Sequence, residues 1–311
     1  MRRFRQLLIA ATAATFLLVV VGGVVRVEDS GLGCGSAGSG LRGWPLCQGG
    51  LAPGADPHAV VEFTHRFLAA LVVILLAAIL WQALRRFRGE RPIVFGALAA
   101  MALVLVQAVL GGLTVEHGLH TVLVAAHLGV AMLLLGVLVG LLGATRPAPA
   151  AAPRPLLALA GVACALLLAT IVAGGVIAGT ERHGTPAEAS ARGAHLACGR
   201  EFPACNDAFL PYGSGEMVDI QLVHRTLMFL AAMAIAALAF LLSRRRVLGG
   251  LPLAIGLVLA TQVLLGAENV WRGEYALLVV AHLALGTLLW MLVVGATAGL
   301  ASRPALSAAT G

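Results

Sequence analysis

The sequence predicts an all-α polytopic membrane protein whose eight transmembrane helices form two parallel-repeat four-helix bundles. Composition, hydropathy and an internal repeat support this prediction. Of the 311 residues, 60% are hydrophobic and 11% are charged, whereas soluble domains average about 45–50% apolar and about 25% charged residues. A helix needs about 20 apolar residues to cross a bilayer. Eight runs approach that length, at 7–26, 60–84, 93–115, 121–143, 156–178, 218–242, 251–267 and 276–300.

Arginines at the ends of the apolar runs predict the orientation of the chain. The net charge of +7 comes from arginine, because the sequence contains no lysine. If the spans alternate, five arginine-bearing segments fall on one side, which the positive-inside rule makes cytoplasmic. Both termini then lie inside a prokaryotic cell, and no basic stripe interleaved with aromatic residues indicates a nucleic-acid partner. The arginine segments are 2–5, 85–91, 146–154, 244–246 and 303, and the predicted outer loops are 27–57, 116–120, 179–217 and 268–275.

The two halves of the chain repeat each other. Residues 106–111 align with 261–266 and residues 123–129 with 278–284 at one offset, while Gly22-Gly23 recurs as Gly174-Gly175. Such glycine pairs fit either a close approach to a flat macrocycle or simple packing of membrane helices. Because four spans are an even number, both halves have the same orientation. We therefore predict an N-terminal bundle over 1–143, a cytoplasmic linker over 144–155 and a C-terminal bundle over 156–311.

Four of the nine histidines occupy equivalent positions in the repeat. His65 and His224 lie near the starts of the second and sixth spans, and His127 and His282 near the starts of the fourth and eighth. Since these spans all enter from outside, each half presents two histidines at similar depth, as facing helices do when two imidazoles hold a haem iron. Zinc fits less well, because the second half offers no cysteine or carboxylate to complete four ligands.

The other histidines are expected to lie outside these pairs. His120 competes as a ligand because it stands one heptad before His127, but the equivalent position in the second half is Tyr275. The remaining four are predicted to be exposed loop residues, and they are His58, His117, His183 and His195.

A carboxylate distinguishes the two halves. Glu62 stands three residues before His65, on the same face of a helix, and Gln221 takes that place before His224. Ionisable groups are costly inside a membrane helix and usually mark a functional interior. An amide cannot exchange a proton as a carboxylate can. The difference predicts a catalytic first half and a second half that retains an electron-transfer cofactor.

Arg66 and Arg225 directly follow His65 and His224. Their guanidinium groups can pair with haem propionates, or they can reach out to the lipid headgroups. Both interpretations stay open from the sequence.

The cysteines follow the predicted topology. Cys34 and Cys47 fall in the first large outer loop, and Cys198 and Cys205 fall in the second. An oxidising outer compartment permits disulfides there, so we predict the pairs Cys34–Cys47 and Cys198–Cys205, either as structural links or as redox-active groups. Cys164 stands alone in the fifth span, as a small apolar packing residue.

These features together resemble the haem A synthase family over essentially the whole chain. The resemblance is carried by the repeat and by four motifs, namely Gly33-Cys34, Trp44-Pro45-Leu46-Cys47, Glu62-Phe63-Thr64-His65-Arg66 and Val280-Ala281-His282. It implies that the C8 methyl of haem O is oxidised to a formyl group, giving haem A for terminal oxidases. It also implies that Glu62 is essential. By the same resemblance, His65 and His127 bind substrate haem O, and His224 and His282 hold the iron of a haem B cofactor.

Oxidation of a methyl group requires a redox cofactor, because no side chain supplies that chemistry. The expected partners are haem O handed over by a haem O synthase, an electron donor or acceptor, membrane lipid and further copies of the chain. A dihaem cytochrome for electron transfer or quinol oxidation is the main alternative. Electron transfer across the membrane, however, needs haem ligands at two depths. A haem carrier leaves the difference between Glu62 and Gln221 unexplained, and a transporter does not need paired histidines.

Overall fold

The computed structural model describes residues 1–146, 152–181, 193–273 and 276–301. Within these ranges the chain forms eight long helices, each apolar enough to cross a membrane, and two short 3₁₀ turns at Gly40–Arg42 and Ala194–Leu196. The prediction of an all-α polytopic membrane protein is confirmed. The helices are α1 Arg2–Val27, α2 Pro57–Arg86, α3 Arg91–Glu116, α4 Thr121–Ala144, α5 Arg154–Thr180, α6 Glu216–Arg244, α7 Leu251–Arg272 and α8 Ala276–Leu300.

The observed helices contain the predicted spans and usually extend them by a few residues. The largest extension at a C-terminal end is in α7, which was expected to end at 267 and instead continues to Arg272. Glu268 and Arg272 form an ion pair of 2.6 Å one turn apart, which supports the extra turn. Gly273, at a φ of 72°, then ends the helix, because glycine adopts the left-handed conformation without steric cost. The outer connection predicted at 268–275 is therefore partly helical.

The helices of each half pack in a closed ring. In the first half α1, α2, α3 and α4 contact one another in order and α4 returns to α1, and α5 to α8 repeat this pattern. The halves meet where α4 packs against α5 and α8, and where α1 packs against α8. A buried hydrogen bond of 2.8 Å from Trp290 Nε1 to the Met132 carbonyl also joins them. The assignment of one half to the substrate and the other to a cofactor remains a prediction.

Apolar side chains fill the end of each bundle that lies away from the histidines. In the first half the buried cluster includes residues of 72–83 in α2, beyond His65, and in the second half it includes residues of 231–242 in α6, beyond His224. Close packing of such side chains holds membrane helices together. It closes one end of each bundle, and the outer loops contact the other end.

Both predicted disulfides are formed, one in each of the two long loops that were predicted to lie outside. The S–S distance is 2.03 Å in Cys34–Cys47 and in Cys198–Cys205. Cys47 forms an isolated antiparallel bridge with Gly50, and Cys205 forms the same bridge with Ala208, so the repeat extends into the loops. Cys164 is free and half-buried, with its sulfur 3.3 Å from the hydroxyl of Thr297.

Candidate functional site

Each of the four repeated histidines lies against a glycine on the preceding helix. A Cβ atom built on that glycine would come within 3.1–3.4 Å of the imidazole Cε1 in all four cases. Such a distance is tighter than ordinary carbon contacts of about 3.5–4.0 Å. Because glycine has no side chain, it leaves a space that the imidazole ring occupies, which we call a glycine slot. The four slots are Gly22 with His65, Gly111 with His127, Gly174 with His224, and Gly266 with His282.

The slots identify the protein neighbours of two of the paired glycines. A close approach to a macrocycle was one expectation for Gly22 and Gly174, and the structure shows that their close neighbours are imidazole rings. Gly266 belongs to no glycine pair in the sequence, so this pattern gave no signal for it. Its position in the segment that repeats 106–111 is the signal that could have found it.

The fold brings the histidines together in the predicted pairs. His65 lies within electrostatic range of His127, and His282 lies within range of His224. All four are half-buried although they lie deep among protein atoms.

One of the four histidines, His224, has the ring-nitrogen arrangement that is typical of metal ligands. His224 Nδ1 lies 3.0 Å from the backbone carbonyl of Thr170. A ligating histidine usually donates one N–H to a carbonyl in this way, which leaves Nε2 for the metal. The carbonyl of Leu18 faces His65 at the equivalent position, outside hydrogen-bond geometry. Three further Nδ1 atoms are buried without a hydrogen-bond partner, those of His65, His127 and His282.

Two imidazoles per half fit an iron that brings its own in-plane ligands. Among the residues that the structure describes, no group of three or more histidines, cysteines or carboxylates could hold a metal ion. A haem supplies four nitrogen ligands and needs two from the protein at most. In the second half, Gln262 Nε2 lies 3.2 Å from His282 Nε2, so a polar side chain reaches the atom that would bind the iron.

Glu62 connects helix α2 to the first outer loop. Its side chain is buried, with 4% of the residue exposed, and its Oε2 atom accepts a hydrogen bond of 2.7 Å from the backbone N–H of Cys34. Oε1 pairs with Arg66, and Arg66 donates to the carbonyl of Leu46 at 2.8 Å. We call this network, formed by Glu62, Arg66, Cys34 and Leu46, the first-loop clasp. It holds both ends of the disulfide-linked segment against α2.

In the second half the equivalent arginine contacts the loop without a carboxylate at the position of Glu62. Arg225 donates to the backbone carbonyls of Glu201 at 2.8 Å and Ala204 at 2.6 Å. Its guanidinium carbon also lies 5.6 Å from the centre of the Phe202 ring. Gln221, the counterpart of Glu62, is equally buried, but its Oε1 atom has no hydrogen-bond partner. Thus equivalent positions in α2 and α6 make different contacts with the loops above them.

The prediction for His195 was wrong. It was expected to be exposed, but it is half-buried and lies within electrostatic range of both His224 and His282. Burial lowers the pKa of His195 from its usual range, while the Glu181 carboxylate and the Asn269 backbone carbonyl act in the opposite direction. Its position three residues before Cys198, where the disulfide fixes the loop, is the signal that could have found it.

The other histidines lie outside the pairs. His58 is exposed, although it lies in the first turn of α2 and not in a loop, with Nδ1 2.9 Å from the Ser30 hydroxyl. His117 is exposed just after α3. His120 is exposed and caps α4, with its Nδ1 3.4 Å from the N–H of Val122. His183 and Tyr275 lie outside the described residues.

The described part of the chain defines a class: a membrane protein with eight long helices and one pair of neighbouring histidines in each of two similar bundles. The chain belongs to the COX15-CtaA family of cytochrome oxidase assembly proteins, whose family model matches residues 5–294.

The chain is also similar to several proteins named Heme A synthase. It is 33% identical to that of Bacillus pumilus over 132 residues, which is 41% of this chain and 40% of the length of the relative. The match to the protein of Shouchella clausii is longer, with 28% identity over 75% of this chain and 74% of the relative. That of Halalkalibacterium halodurans is 28% identical over 71% of each. The chain thus spans about two fifths of the first relative and nearly three quarters of the other two.

Proposed function

We propose that this protein is a haem A synthase that oxidises the C8 methyl of haem O to a formyl group. One observation carries the proposal: two equivalent histidine pairs occur, and a buried carboxylate stands beside the pair of the first half, where the second half has an amide. The names of the relatives, Heme A synthase, support the same activity. A dihaem cytochrome with two equal sites gives no reason for this difference.

In this proposal the first half binds the substrate and the second half keeps a cofactor. His65 and His127 would hold haem O, His224 and His282 would hold haem B, and Glu62 would take up or give a proton at its carboxylate oxygens. When bound, haem B supplies the one-electron redox chemistry that side chains lack. The glycine slots orient the imidazoles, and the apolar cores exclude water from the closed end of each bundle.

Arg66 and Arg225 are the proposed contacts for haem propionates. The Nε atom of Arg225 is buried and has no hydrogen-bond partner, and a guanidinium donor suits a carboxylate well. Arg66 already pairs with Glu62 and with the Leu46 carbonyl, so it would share its charge between Glu62 and a propionate.

The haems extracted from the purified protein test the proposal. A haem A synthase should carry haem B together with haem O or haem A, because substrate and product pass through the first half. Chromatography of the acid-extracted pigments separates these haems. Haem B alone, at two per chain, would instead support the dihaem cytochrome.

We also propose that both termini are cytoplasmic and that the histidine pairs lie near the outer face of the membrane. The bias of arginine toward one side supports this orientation. Thiol labelling of intact cells after mild reduction should reach Cys34 and Cys198. Labelling that required an opened membrane would reverse the orientation. Haem O from a haem O synthase, an electron donor or acceptor and further copies of the chain are the proposed partners.

A further inference from the structure

The second half contains buried polar atoms on its outer side that have no hydrogen-bond partner. Near the His224–His282 pair these include His195 Nε2, Arg225 Nε and Asn269 Oδ1. Leaving a buried polar group without a partner costs about 1–3 kcal/mol. In the first half the clasp instead satisfies Glu62 and Arg66. The second half therefore offers unused polar groups to a ligand.

The protein backbone around His195 is held firmly in place. Its backbone N–H donates to Glu181 Oε1 at 3.0 Å, and the N–H of Ala194 donates to Thr180 Oγ1 at 2.9 Å. The 3₁₀ turn Ala194–Leu196 packs on α5 and α6, and Ala194 is completely buried. The imidazole lies against the Asn269 carbonyl, so its Nε2 atom is left for another partner.

We infer that His195 hydrogen-bonds, through Nε2, a carboxylate of the haem held by His224 and His282. The inference rests on the proposed function, because it needs a haem in the second half. A haem has an apolar edge and an edge with two propionates, and buried carboxylates require hydrogen-bond donors or opposite charges. The apolar core closes one end of the bundle, whereas His195 and Arg225 lie within electrostatic range of each other at the opposite end. The propionates therefore belong on the outer side.

The hydrogen bond needs one proton between His195 Nε2 and a propionate oxygen. Either partner can carry that proton, because imidazole and carboxylic acid both donate and accept. Arg225 Nε supplies a second donor from the facing helix. His195 is thus a positioning residue for the cofactor and takes no part in the oxidation itself.

The test uses the full-length protein purified with its own haem, with His195 replaced by alanine or by glutamine. The midpoint potential of haem B and its resonance Raman propionate band are the two measurements. In His195→Ala the potential should fall, because an uncompensated carboxylate charge disfavours the added electron, and the propionate band should shift. In His195→Gln the amide can still donate, so both values should stay closer to those of the unchanged protein. His117→Ala, an exposed histidine at the same end of the first half, is the matched control.

An unchanged potential and an unchanged propionate band in His195→Ala would overturn the inference. If both His195 variants lose haem B yet keep their helical circular dichroism, the side chain acts through loop packing and the inference is also wrong. A separate variant, His224→Ala, tests whether the protein binds haem B in the second half at all. If His224→Ala keeps the full six-coordinate haem spectrum, the proposed function fails, independently of His195.

Rebinding of haem b and of its dimethyl ester to haem-depleted protein gives a second measurement. Esterification blocks the carboxylates. If His195 hydrogen-bonds a carboxylate, esterification and His195→Ala remove the same interaction, and each should lower the affinity for haem. The fold-loss in affinity when the ester binds the His195→Ala protein should therefore be smaller than the product of the two single fold-losses. A loss equal to that product would show that His195 and the carboxylates act independently, and would reject the hydrogen bond.

Discussion

The two halves of the molecule differ at equivalent helix positions that contact the loops beside their histidine pairs. In the first half an acidic side chain, Glu62, accepts from a loop N–H, and Arg66 neutralises its charge. In the second half a basic side chain, Arg225, donates to loop carbonyls and keeps its positive charge. At these equivalent positions the first half has an acid–base pair, whereas the second half has the buried Arg225 with an uncharged Gln221 four residues before it. A buried cation favours retention of a ligand with two carboxylates. On the proposed assignment, this difference would favour exchange of a ligand in the first half and its retention in the second.

The largest effect is expected from removing the charge that makes the first half different. Glu62→Gln keeps the size of the side chain and its acceptor for the Cys34 N–H, but it loses the ionisable group and the ion pair with Arg66. We expect the protein to fold, to keep haem B and to make little or no haem A, with haem O or its alcohol accumulating. Chromatography of extracted pigments measures this.

Glu268→Gln is the matched control for that experiment. Glu268 forms the same one-turn pair with Arg272, but the pair is exposed, and exposed pairs contribute only about 0–1 kcal/mol. This control should make haem A normally. Near-normal haem A from Glu62→Gln would remove the carboxylate from the mechanism.

The second effect separates the ligand pairs. His224→Ala or His282→Ala should deplete haem B, because an iron in the second half loses an axial ligand, while the first half can still accept haem O. His65→Ala should have the reverse effect, retaining haem B and weakening the binding of haem O. Absorption spectra of the reduced proteins and the haem content per chain measure both. Equal depletion of both haems by all three changes would contradict the separation of the halves.

A smaller effect is expected from filling a glycine slot. Gly174→Val adds a branched side chain where a Cβ alone would be 3.2 Å from His224 Cε1, and such overpacking costs typically about 1–3 kcal/mol. The ring should tilt, and the haem B content should fall without a complete loss. Gly161→Val, in the same helix but with no atom within 4 Å of the added Cβ, is the control. Equal haem contents in the two variants would show that the slot does not position the imidazole.

The smallest effect is expected from making the second half resemble the first. Gln221→Glu introduces a carboxylate beside Arg225, whose Nε atom lacks a partner. Haem A formation should stay close to normal, because the substrate does not react in this half. Chromatography of the pigments extracted from Gln221→Glu and from Glu62→Gln compares the haem A contents of the two variants. A strong loss of haem A would mean that the amide at this position is required.

Much of the fold could be predicted because apolar runs and repeated segments are local properties of the sequence. The spans and the grouping of His65 with His127 followed from periodicity alone. The partners of Glu62 did not, since the Cys34 N–H reaches it from a loop whose path depends on tertiary contacts. His195 was placed wrongly for the same reason. The turn that carries it packs on α5 and α6, and its neighbours Glu181 and Asn269 are distant from it in sequence.

The glycine slots have a consequence for how the molecule stays together. Each slot joins the two helices of one hairpin, so each half consists of two such hairpins, and an iron held by two histidines would link them. A ligand that binds only the folded state adds about 2.7 kcal/mol of stability at a concentration of 100 Kd. On the proposed assignment, the second half keeps this link continuously, whereas the first half gives it up whenever product leaves. The packing of α1 against α4 and of α2 against α3 is what connects the two hairpins there between turnovers.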